Sequence, residues 1–252
     1  MSKVLLDIHS KPKETSELSG LEVSEFFSHT IQGEGRYIGY PAVFLRMKGC
    51  TLNCSWCDTM QVWRQGSKYL PTELFSLMEE NGVIDFLKKG AHLVLTGGSP
   101  LLQQDGLQNF LLSFVERFRF KPFVEVENEC TLVPTIQFYR WVDQWNCSPK
   151  LANSIQEREE RYNPEAISFL KKGPTPVDFK FVISTEEDWK EVEEDFLKPG
   201  LIELNDIILM PEGETQEELS KTREKVALLA VEKGARFSDR LHITIWNRKT
   251  GV

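Results

Sequence analysis

Residues 42 to 59 read AVFLRMKGCTLNCSWCDT, and this stretch decides the fold. Residues 42–48 form an apolar run of strand-forming residues. The run stops at Gly49, and a short polar loop with three cysteines follows. The loop therefore starts where a buried strand ends, which is where α/β proteins place the groups that bind ligands.

The cysteine loop, residues 49–59, has the composition of a metal site. Cys50, Cys54 and Cys57 have the spacing C-x3-C-x2-C, and none of the four histidines lies near them in sequence. A structural zinc site needs four ligands. Three thiolates suit a cubane iron–sulfur cluster that leaves one iron open for another ligand. Zinc with a distant fourth cysteine and three buried core cysteines remain alternatives at this point.

The composition argues against several classes of protein. The chain has 252 residues, 40% of them hydrophobic, with 38 acidic and 30 basic side chains and a net charge of −8. An acidic chain is a poor general binder of nucleic acid. The sequence has neither an apolar run long enough for a membrane helix nor a signal-peptide core, and five cysteines argue against a disulfide framework. We therefore expect a cytoplasmic protein with no nucleic-acid or membrane partner.

Strand and helix patterns alternate along the chain, which predicts parallel βαβ units. The expected fold is α/β, an open or partly closed barrel of parallel strands with outer helices. We expect one domain over residues 1–252, with an N-terminal extension over about residues 1–22. Strands are predicted at residues 42–48, 92–96, 123–128, 144–148, 178–184, 206–210 and 242–246, and helices at about 72–89, 105–118, 134–143, 163–171, 186–197 and 215–232.

Two further loops follow predicted strands. TGGSP, residues 96–100, follows the second, and SPK, residues 148–150, follows the fourth. All three loops should therefore meet at one rim of the sheet. The polar residues 151–162 are expected to form a surface loop or insertion. Ser184 and Thr215 each precede a glutamate by three residues, which is the spacing of a helix capping box.

The strand at 123–128 carries two acidic side chains on one face. Alternation places Glu125 and Glu127 together, with Val124 and Val126 opposite. Either this face lines a polar binding site, or the strand lies at an edge of the sheet with a solvated face. Cys130 and Cys147 are expected to be buried core thiols, with Cys147 on a strand.

The cysteine motif, with Trp56 just before its third cysteine, resembles that of the radical S-adenosylmethionine superfamily. The resemblance implies that Cys50, Cys54 and Cys57 hold a [4Fe-4S] cluster. It also implies that S-adenosylmethionine chelates the open iron and yields a 5′-deoxyadenosyl radical that abstracts hydrogen.

A longer match is more specific. Residues 30–59, with QGEG inside them, resemble the N-terminal block of the 7-carboxy-7-deazaguanine synthase family, and FKFVIS, LMPEG and LHITIWNRKTGV resemble later blocks. The resemblance implies a lyase that contracts 6-carboxy-5,6,7,8-tetrahydropterin to 7-carboxy-7-deazaguanine with loss of ammonia, in queuosine biosynthesis. It also implies Mg²⁺, an electron donor such as flavodoxin, and a homodimer.

The same resemblance assigns roles to individual residues. Arg46 would hold the substrate carboxylate, for which a guanidinium suits well because it forms bidentate bonds. Thr59 would offer a hydroxyl to Mg²⁺; without the resemblance it reads as a helix cap. The other substrate residues would be Ile31, Gln32, Gly33, Glu34 and Thr96, and the cofactor residues Trp56, Gly98, Glu127, Ser148, Pro149 and Lys150.

The sequence departs from these patterns in two places. Ser99 replaces the glutamate of the superfamily's Gly-Gly-Glu-Pro, so a charged acceptor for the methionine ammonium is lost. After Glu127 the chain reads NECT, where the family commonly has a Thr and a Gly before the next Thr. Two alternative functions remain: an activase that makes a glycyl radical on a partner protein, and a non-catalytic metal-binding interaction module.

Overall fold

A nine-stranded, mostly parallel sheet forms the centre of the molecule. The structure is a computed structural model and describes residues 20–252. The strands run in the spatial order β3-β1-β2-β4-β5-β6-β7-β8-β9. Their bounds are β1 Leu21–Ile31, β2 Pro41–Met47, β3 Ser67–Tyr69, β4 His92–Gly97, β5 Val124–Asn128, β6 Gln144–Cys147, β7 Val177–Ile183, β8 Ile207–Pro211 and β9 Arg236–Phe237.

Strand direction divides the sheet into two parts. From β2 to β9 each neighbouring pair is parallel, whereas β1 pairs antiparallel with both β2 and β3. The sheet is open within the described residues, because β3 and β9 pair on one side only. This arrangement confirms the predicted partial barrel.

Helices connect the parallel strands, as βαβ units require. The core lies between the sheet and these helices and includes an aromatic group in which Phe75 packs on Phe110, Phe114 and Phe118. Each large side chain buried there contributes roughly 1.5–3 kcal/mol. The helices are α1 Met60–Trp63, α2 Pro71–Glu80, α3 Val83–Lys88, α4 Gln104–Phe118, α5 Ile136–Tyr139, α6 Arg158–Arg161, α7 Pro164–Lys172, α8 Glu186–Val192, α9 Gln216–Lys233 and α10 Leu241–Trp246.

The sequence prediction of the strands is confirmed for six segments and wrong for one. The six correspond to β2, β4, β5, β6, β7 and β8 with ends that agree closely. Residues 242–246 form helix α10 instead of a strand. Ile243 and Thr244 donate their backbone N–H groups to the carbonyl of Arg240, and only Ile243 of this helix is buried. The β-rich composition of residues 242–246 predicted a strand, but β9 already occupies the edge of the sheet next to β8.

Three helix predictions need correction. The segment 72–89 is two helices, α2 and α3, because Gly82 adopts a left-handed conformation between them (φ 68°). The segment 134–143 contains only the short helix α5. In the segment 186–197, α8 ends at Val192 and a π-helical turn covers Glu193–Leu197.

Strand β1 has no counterpart in the sequence prediction. Most of its residues are buried, including Ser24, Glu25 and Ser28, so it lacks the alternation that reveals a half-buried strand. Its register with β2 also shifts twice, and His29 has a positive φ of 59°. Residues 1–19 of the expected N-terminal extension lie outside the described residues, and Leu21 and Glu22 begin β1.

None of the helices within residues 20–252 combines the length and the apolar character needed to cross a membrane.

One of the two predicted capping boxes is shifted by one residue, and the other is confirmed. At α8 the cap is Thr185, which is paired with Asp188, rather than Ser184 with Glu187. At α9 the predicted pair is confirmed: the Thr215 hydroxyl accepts a hydrogen bond from the N–H of Glu218, and the Glu218 side chain accepts one from the N–H of Thr215.

Replacing Thr215 with alanine should lower the free energy of unfolding by about 1 kcal/mol, because an N–H of the first turn of α9 loses its acceptor. Chemical denaturation followed by circular dichroism measures the change. Ser220→Ala is the matched control, since Ser220 is exposed inside the same helix and caps nothing. Equal destabilisation by both substitutions would contradict the role assigned to this cap.

Candidate active site

One cavity of about 290 Å³ opens at the carboxyl ends of the parallel strands. The cysteine loop, the TGGSP turn and the loop after β6 all reach it, which confirms that the three loops share one rim. The residues assigned from the sequence line it with one exception: Pro149 is buried and is not part of the lining. The lining residues from that set are Ile31, Gln32, Gly33, Glu34, Arg46, Cys50, Cys54, Trp56, Cys57, Thr59, Thr96, Gly98, Glu127, Ser148 and Lys150.

The cysteine loop and the TGGSP turn touch through their backbones. Gly98 leaves no space for a side chain, because a Cβ there would lie 2.2 Å from the Gly49 carbonyl oxygen and 2.5 Å from Cys50 Cβ. The N–H of Ser99 donates to the same carbonyl at 2.8 Å. The turn therefore fixes where the first cysteine enters the cavity.

The three cysteines of the loop are free thiols, and N–H groups of neighbouring residues point at two of their sulfur atoms. Burial raises the pKa of the Cys50 and Cys54 thiols above the usual range, so their thiolates need a compensating positive charge. The Leu52 N–H points at Cys50 Sγ (3.4 Å) and the Trp63 indole N–H at Cys57 Sγ (3.4 Å). Such N–H···S contacts are typical of iron–sulfur sites, and the loop therefore fits a cluster.

A single-ion site with three His, Cys, Asp or Glu ligands is not supported in the part of the chain that the structure describes. No three His, Cys, Asp or Glu side chains of residues 20–252 are arranged to hold one metal ion. A four-iron cluster is larger than an ion and keeps its ligating sulfurs further apart. Cys130 and Cys147 are fully buried, as expected for core thiols, and neither belongs to a group of three such ligands within residues 20–252.

Trp56 and Lys150 form another wall of the cavity. The Lys150 ammonium lies 5.4 Å from the centre of the Trp56 ring and donates to Ser148 Oγ at 2.8 Å. The Trp56 indole donates to the Asn153 carbonyl at 3.1 Å. The predicted surface loop at 151–162 is therefore better described as a support of the cysteine loop, with a 3₁₀ turn at Ala152–Ser154 and helix α6.

The acidic face of β5 lies inside the barrel, because β5 pairs with β4 and β6; the edge-strand alternative is wrong. The Gln32 side-chain amide donates to Glu125 Oε2 (3.0 Å) and to Glu127 Oε1 (3.2 Å). Asn146 donates to the same two oxygens, and His92 Nδ1 lies 2.6 Å from Glu125 Oε1. Both carboxylates thus set the orientation of Gln32, a cavity residue.

A line of alternating charges continues from this face. Lys180, only 1% exposed, donates to Glu127 (2.7 Å) and Glu34 (3.0 Å), and Arg240 joins Glu34 (3.0 Å) to Asp58. Burial alone would raise the pKa of Glu34, but Lys180 and Arg240 hold it well below its usual range. For Glu127 burial outweighs Lys180 and raises the pKa. Glu34 is therefore the more firmly ionised of these two carboxyl groups.

Arg46 is not a surface arginine, and the Thr59 hydroxyl does not cap a helix. Arg46 Nε donates to Glu25 Oε2 at 3.1 Å, and its side chain is 13% exposed, which excludes a snorkelling surface arginine. Thr59 is the residue before α1, but its hydroxyl makes no capping hydrogen bond. That hydroxyl lies 3.8 Å from Cys57 Sγ and lines the cavity.

Sequence reasoning missed more than half of the cavity residues, among them the charged or titratable Lys180, Arg240 and His242. Lys180 interrupts the apolar run FKFVIS, and a lone lysine in a buried strand is a readable signal. Arg240 and His242 have no comparable sequence signal, because the sequence predicts a strand in this part of the chain. His242 packs directly on Gly33, where a Cβ would lie 2.2 Å from its Nδ1, and burial lowers its pKa.

The two departures from the family pattern both lie beside the cavity. Ser99 is fully buried, and its hydroxyl accepts the N–H of Thr51 at 2.9 Å. In NECT, Cys130 adopts a left-handed φ of 65°. The backbone thus takes a conformation that favours glycine without having one, at a cost of about 1–2 kcal/mol.

Comparison with known proteins agrees with this geometry. Residues 31–128, which include the whole cysteine loop, match the family model described as a 4Fe-4S single cluster domain. A 7-carboxy-7-deazaguanine synthase from Halobacterium salinarum is 32% identical over 247 residues, covering 90% of this chain and 91% of the relative. One from Pyrobaculum aerophilum is 34% identical over 238 residues, covering 92% and 97%.

The chain belongs to the 7-carboxy-7-deazaguanine synthase family. A crystal structure of QueE from Escherichia coli has a similar fold, with a TM-score of 0.63 at 21% identity over 88% of this chain and 95% of that one. Membership in the synthase family does not favour the activase or the interaction module. It also agrees with the cluster and the S-adenosylmethionine cofactor that the sequence predicts.

Replacing Cys54 with alanine should abolish cluster assembly and leave the fold intact, because the core packs independently of the loop. Protein purified without oxygen should contain about four irons per chain in the wild type and few in the variant, with similar circular dichroism. Cys147→Ala, a buried thiol on β6, is the control and should keep its iron. One zinc per wild-type chain, or global unfolding of Cys54→Ala, would refute a catalytic cluster.

Proposed function

We propose that this chain catalyses the ring contraction of 6-carboxy-5,6,7,8-tetrahydropterin to 7-carboxy-7-deazaguanine with loss of ammonia. One observation carries the proposal: the cysteine loop and the QGE segment, Gln32 to Glu34, open on the same cavity. A cluster-bound cofactor and a small polar substrate can therefore meet there. The relatives that cover most of the chain carry the name of this activity.

Cys50, Cys54 and Cys57 would hold the [4Fe-4S] cluster, and S-adenosylmethionine would occupy the adjoining part of the cavity. When bound, this pair supplies a carbon-centred radical that abstracts hydrogen. The protein's own residues would position the cofactor. The Trp56 ring and Lys150 would bound the cofactor on one side and the Gly98 backbone on another, with Ser148 between them; buried Pro149 would fix the turn that carries Ser148 and Lys150.

The substrate would bind against the polar face of β5 and the segment from Ile31 to Glu34. A pterin ring presents both donors and acceptors, and the amide of Gln32 is held in place by Glu125 and Glu127. Fixed polar groups of this kind define one orientation of a planar ligand. Thr96 and Gly33 would complete the contact. Glu127, predicted on the cofactor side, contacts Gln32 and Lys180 and would therefore face both ligands.

Arg46 would bind the substrate carboxylate, and Thr59 would contribute to a Mg²⁺ site. The Glu25 contact uses Nε of Arg46, and Nη1 lies 3.4 Å from the Gly97 carbonyl, so the guanidinium plane is held beside the cavity. A mostly hydrated Mg²⁺ needs few protein ligands when the substrate provides oxygens. The Thr59 hydroxyl makes no capping hydrogen bond, whereas the Asp58 carboxylate forms an ion pair with Arg240.

Several expectations about the whole protein stay part of this proposal. We expect a single domain that works as a homodimer in the cytoplasm and receives electrons from a protein such as flavodoxin. The acidic net charge of −8 gives no support to a nucleic-acid partner.

Reconstituted protein given substrate, Mg²⁺, S-adenosylmethionine and a reductant without oxygen should produce 7-carboxy-7-deazaguanine, detected by mass spectrometry. S-adenosylmethionine should be regenerated rather than consumed in proportion to product. Protein carrying Cys54→Ala is the negative control. Absence of product from samples with an intact cluster would defeat the proposed function.

Arg46→Lys should raise KM for the substrate roughly 10- to 100-fold with unchanged iron content. Lysine keeps a positive charge near Glu25 but loses the planar fork that binds a carboxylate through two bonds. Steady-state kinetics measures the effect. Arg158→Lys is the matched control, because Arg158 forms a two-point pair with Asp195 outside the cavity. A KM equal to that of the control would remove the role assigned to Arg46.

A further inference from the structure

Glu129 is a nearly buried carboxylate that lines the cavity without a cation. It is 6% exposed, and its Oε1 accepts hydrogen bonds from the hydroxyls of Thr51 (2.9 Å) and Thr131 (2.7 Å). Among residues 20–252, no Lys, Arg or His nitrogen comes within 4.0 Å of it, and its Oε2 accepts no hydrogen bond. Buried carboxylates are normally paired, so this one is suited to a positively charged ligand.

Its position relates it to the cysteine loop. Thr51 directly follows Cys50, and its hydroxyl lies 2.9 Å from Glu129 Oε1 and 3.0 Å from Ser99 Oγ. The Ser99 hydroxyl in turn lies 3.5 Å from Cys50 Sγ. Glu129 is therefore one side chain away from Ser99, on the same side of the loop as the first cysteine.

The two departures from the family pattern thus occur next to each other. Ser99 stands where the superfamily has a glutamate, and a hydroxyl cannot offer a charged acceptor. Glu129 stands in the NECT stretch, in a different loop, and brings a carboxylate to the same corner of the cavity. The negative charge missing from one loop is present in its neighbour.

We propose that Glu129 accepts a hydrogen bond from the α-amino group of S-adenosylmethionine, in place of the glutamate that Ser99 replaces. This inference rests on the proposed function, because it assumes that the cavity binds this cofactor. The free Oε2 would accept an N–H of this amino group while Oε1 stays bound to Thr51 and Thr131. A hydrogen bond that a carboxylate accepts in a site shielded from water is one of the stronger hydrogen bonds in proteins.

A purely structural role for Glu129 predicts a different outcome. In that case the side chain would serve only to accept the two threonine hydroxyls. Glutamine can do this equally well through its carbonyl oxygen, since it has nearly the same shape. Glu129→Gln therefore removes the charge and keeps the acceptor of Thr51 and Thr131.

Calorimetric titration of the anaerobically reconstituted protein tests the proposal with two ligands: S-adenosylmethionine and its analogue with hydrogen in place of the α-amino group. Glu129→Gln should raise the Kd of S-adenosylmethionine about 10- to 100-fold and leave the Kd of the analogue within about twofold. Glu129→Asp keeps the charge and should keep most of the preference for the amino ligand. Asp195→Asn is the control, because it removes a partly buried carboxylate outside the cavity.

Three outcomes would overturn the inference. In the first, Glu129→Gln binds S-adenosylmethionine as tightly as the wild type does. In the second, it loses affinity for both ligands equally, which indicates a structural role. In the third, Glu129→Asp loses the preference for the amino ligand completely. Failure of the wild type to bind either ligand would instead overturn the proposed function itself, and the two failures are therefore distinguishable.

Discussion

The site depends on the ion pairs that Lys180 and Arg240 make with Glu34, Glu127 and Asp58. These contacts join five separate parts of the chain: the segment after β1, strand β5, strand β7, the cysteine loop and the segment before α10. Each buried charge is tolerable only because its neighbours neutralise it. The interior of the barrel can therefore remain polar, and ready for a polar ligand, without losing its shape.

A second constraint is steric. The contact between Gly98 and the Gly49 carbonyl brings two loops closer than any side chain would allow. The electrostatic and the steric constraint act at opposite ends of the cysteine loop, since Gly49 is its first residue and Asp58 lies near its end. The loop is thereby fixed at both ends, and hydrogen bonds from Asn53, Ser55 and Trp56 to residues 153–156 hold its centre.

The sequence was sufficient to predict the parallel strands, the shared rim and fifteen of the residues that line the cavity. The strands and the rim depend on local signals, namely apolar runs, a cysteine spacing and glycines after strands, whereas most of the lining residues were implied by the family resemblance. It was insufficient for β1 and α10, where tertiary packing overrides local preference: β1 buries its polar residues, and α10 is β-rich in composition. Arg240 was missed for the same reason, because its partners Glu34 and Asp58 are about two hundred residues away in sequence.

The contacts at the three cysteine sulfurs have a consequence for electron transfer. Cys50 receives an N–H from Leu52 and the hydroxyl of Ser99, and Cys57 receives the indole N–H of Trp63, whereas Cys54 receives no such bond from the described residues. Hydrogen bonds to ligating sulfur stabilise the reduced form of a cluster and raise its reduction potential. The electron accepted by a cluster held here would be stabilised unevenly, so the indole of Trp63 helps to set the driving force that a reductant must supply.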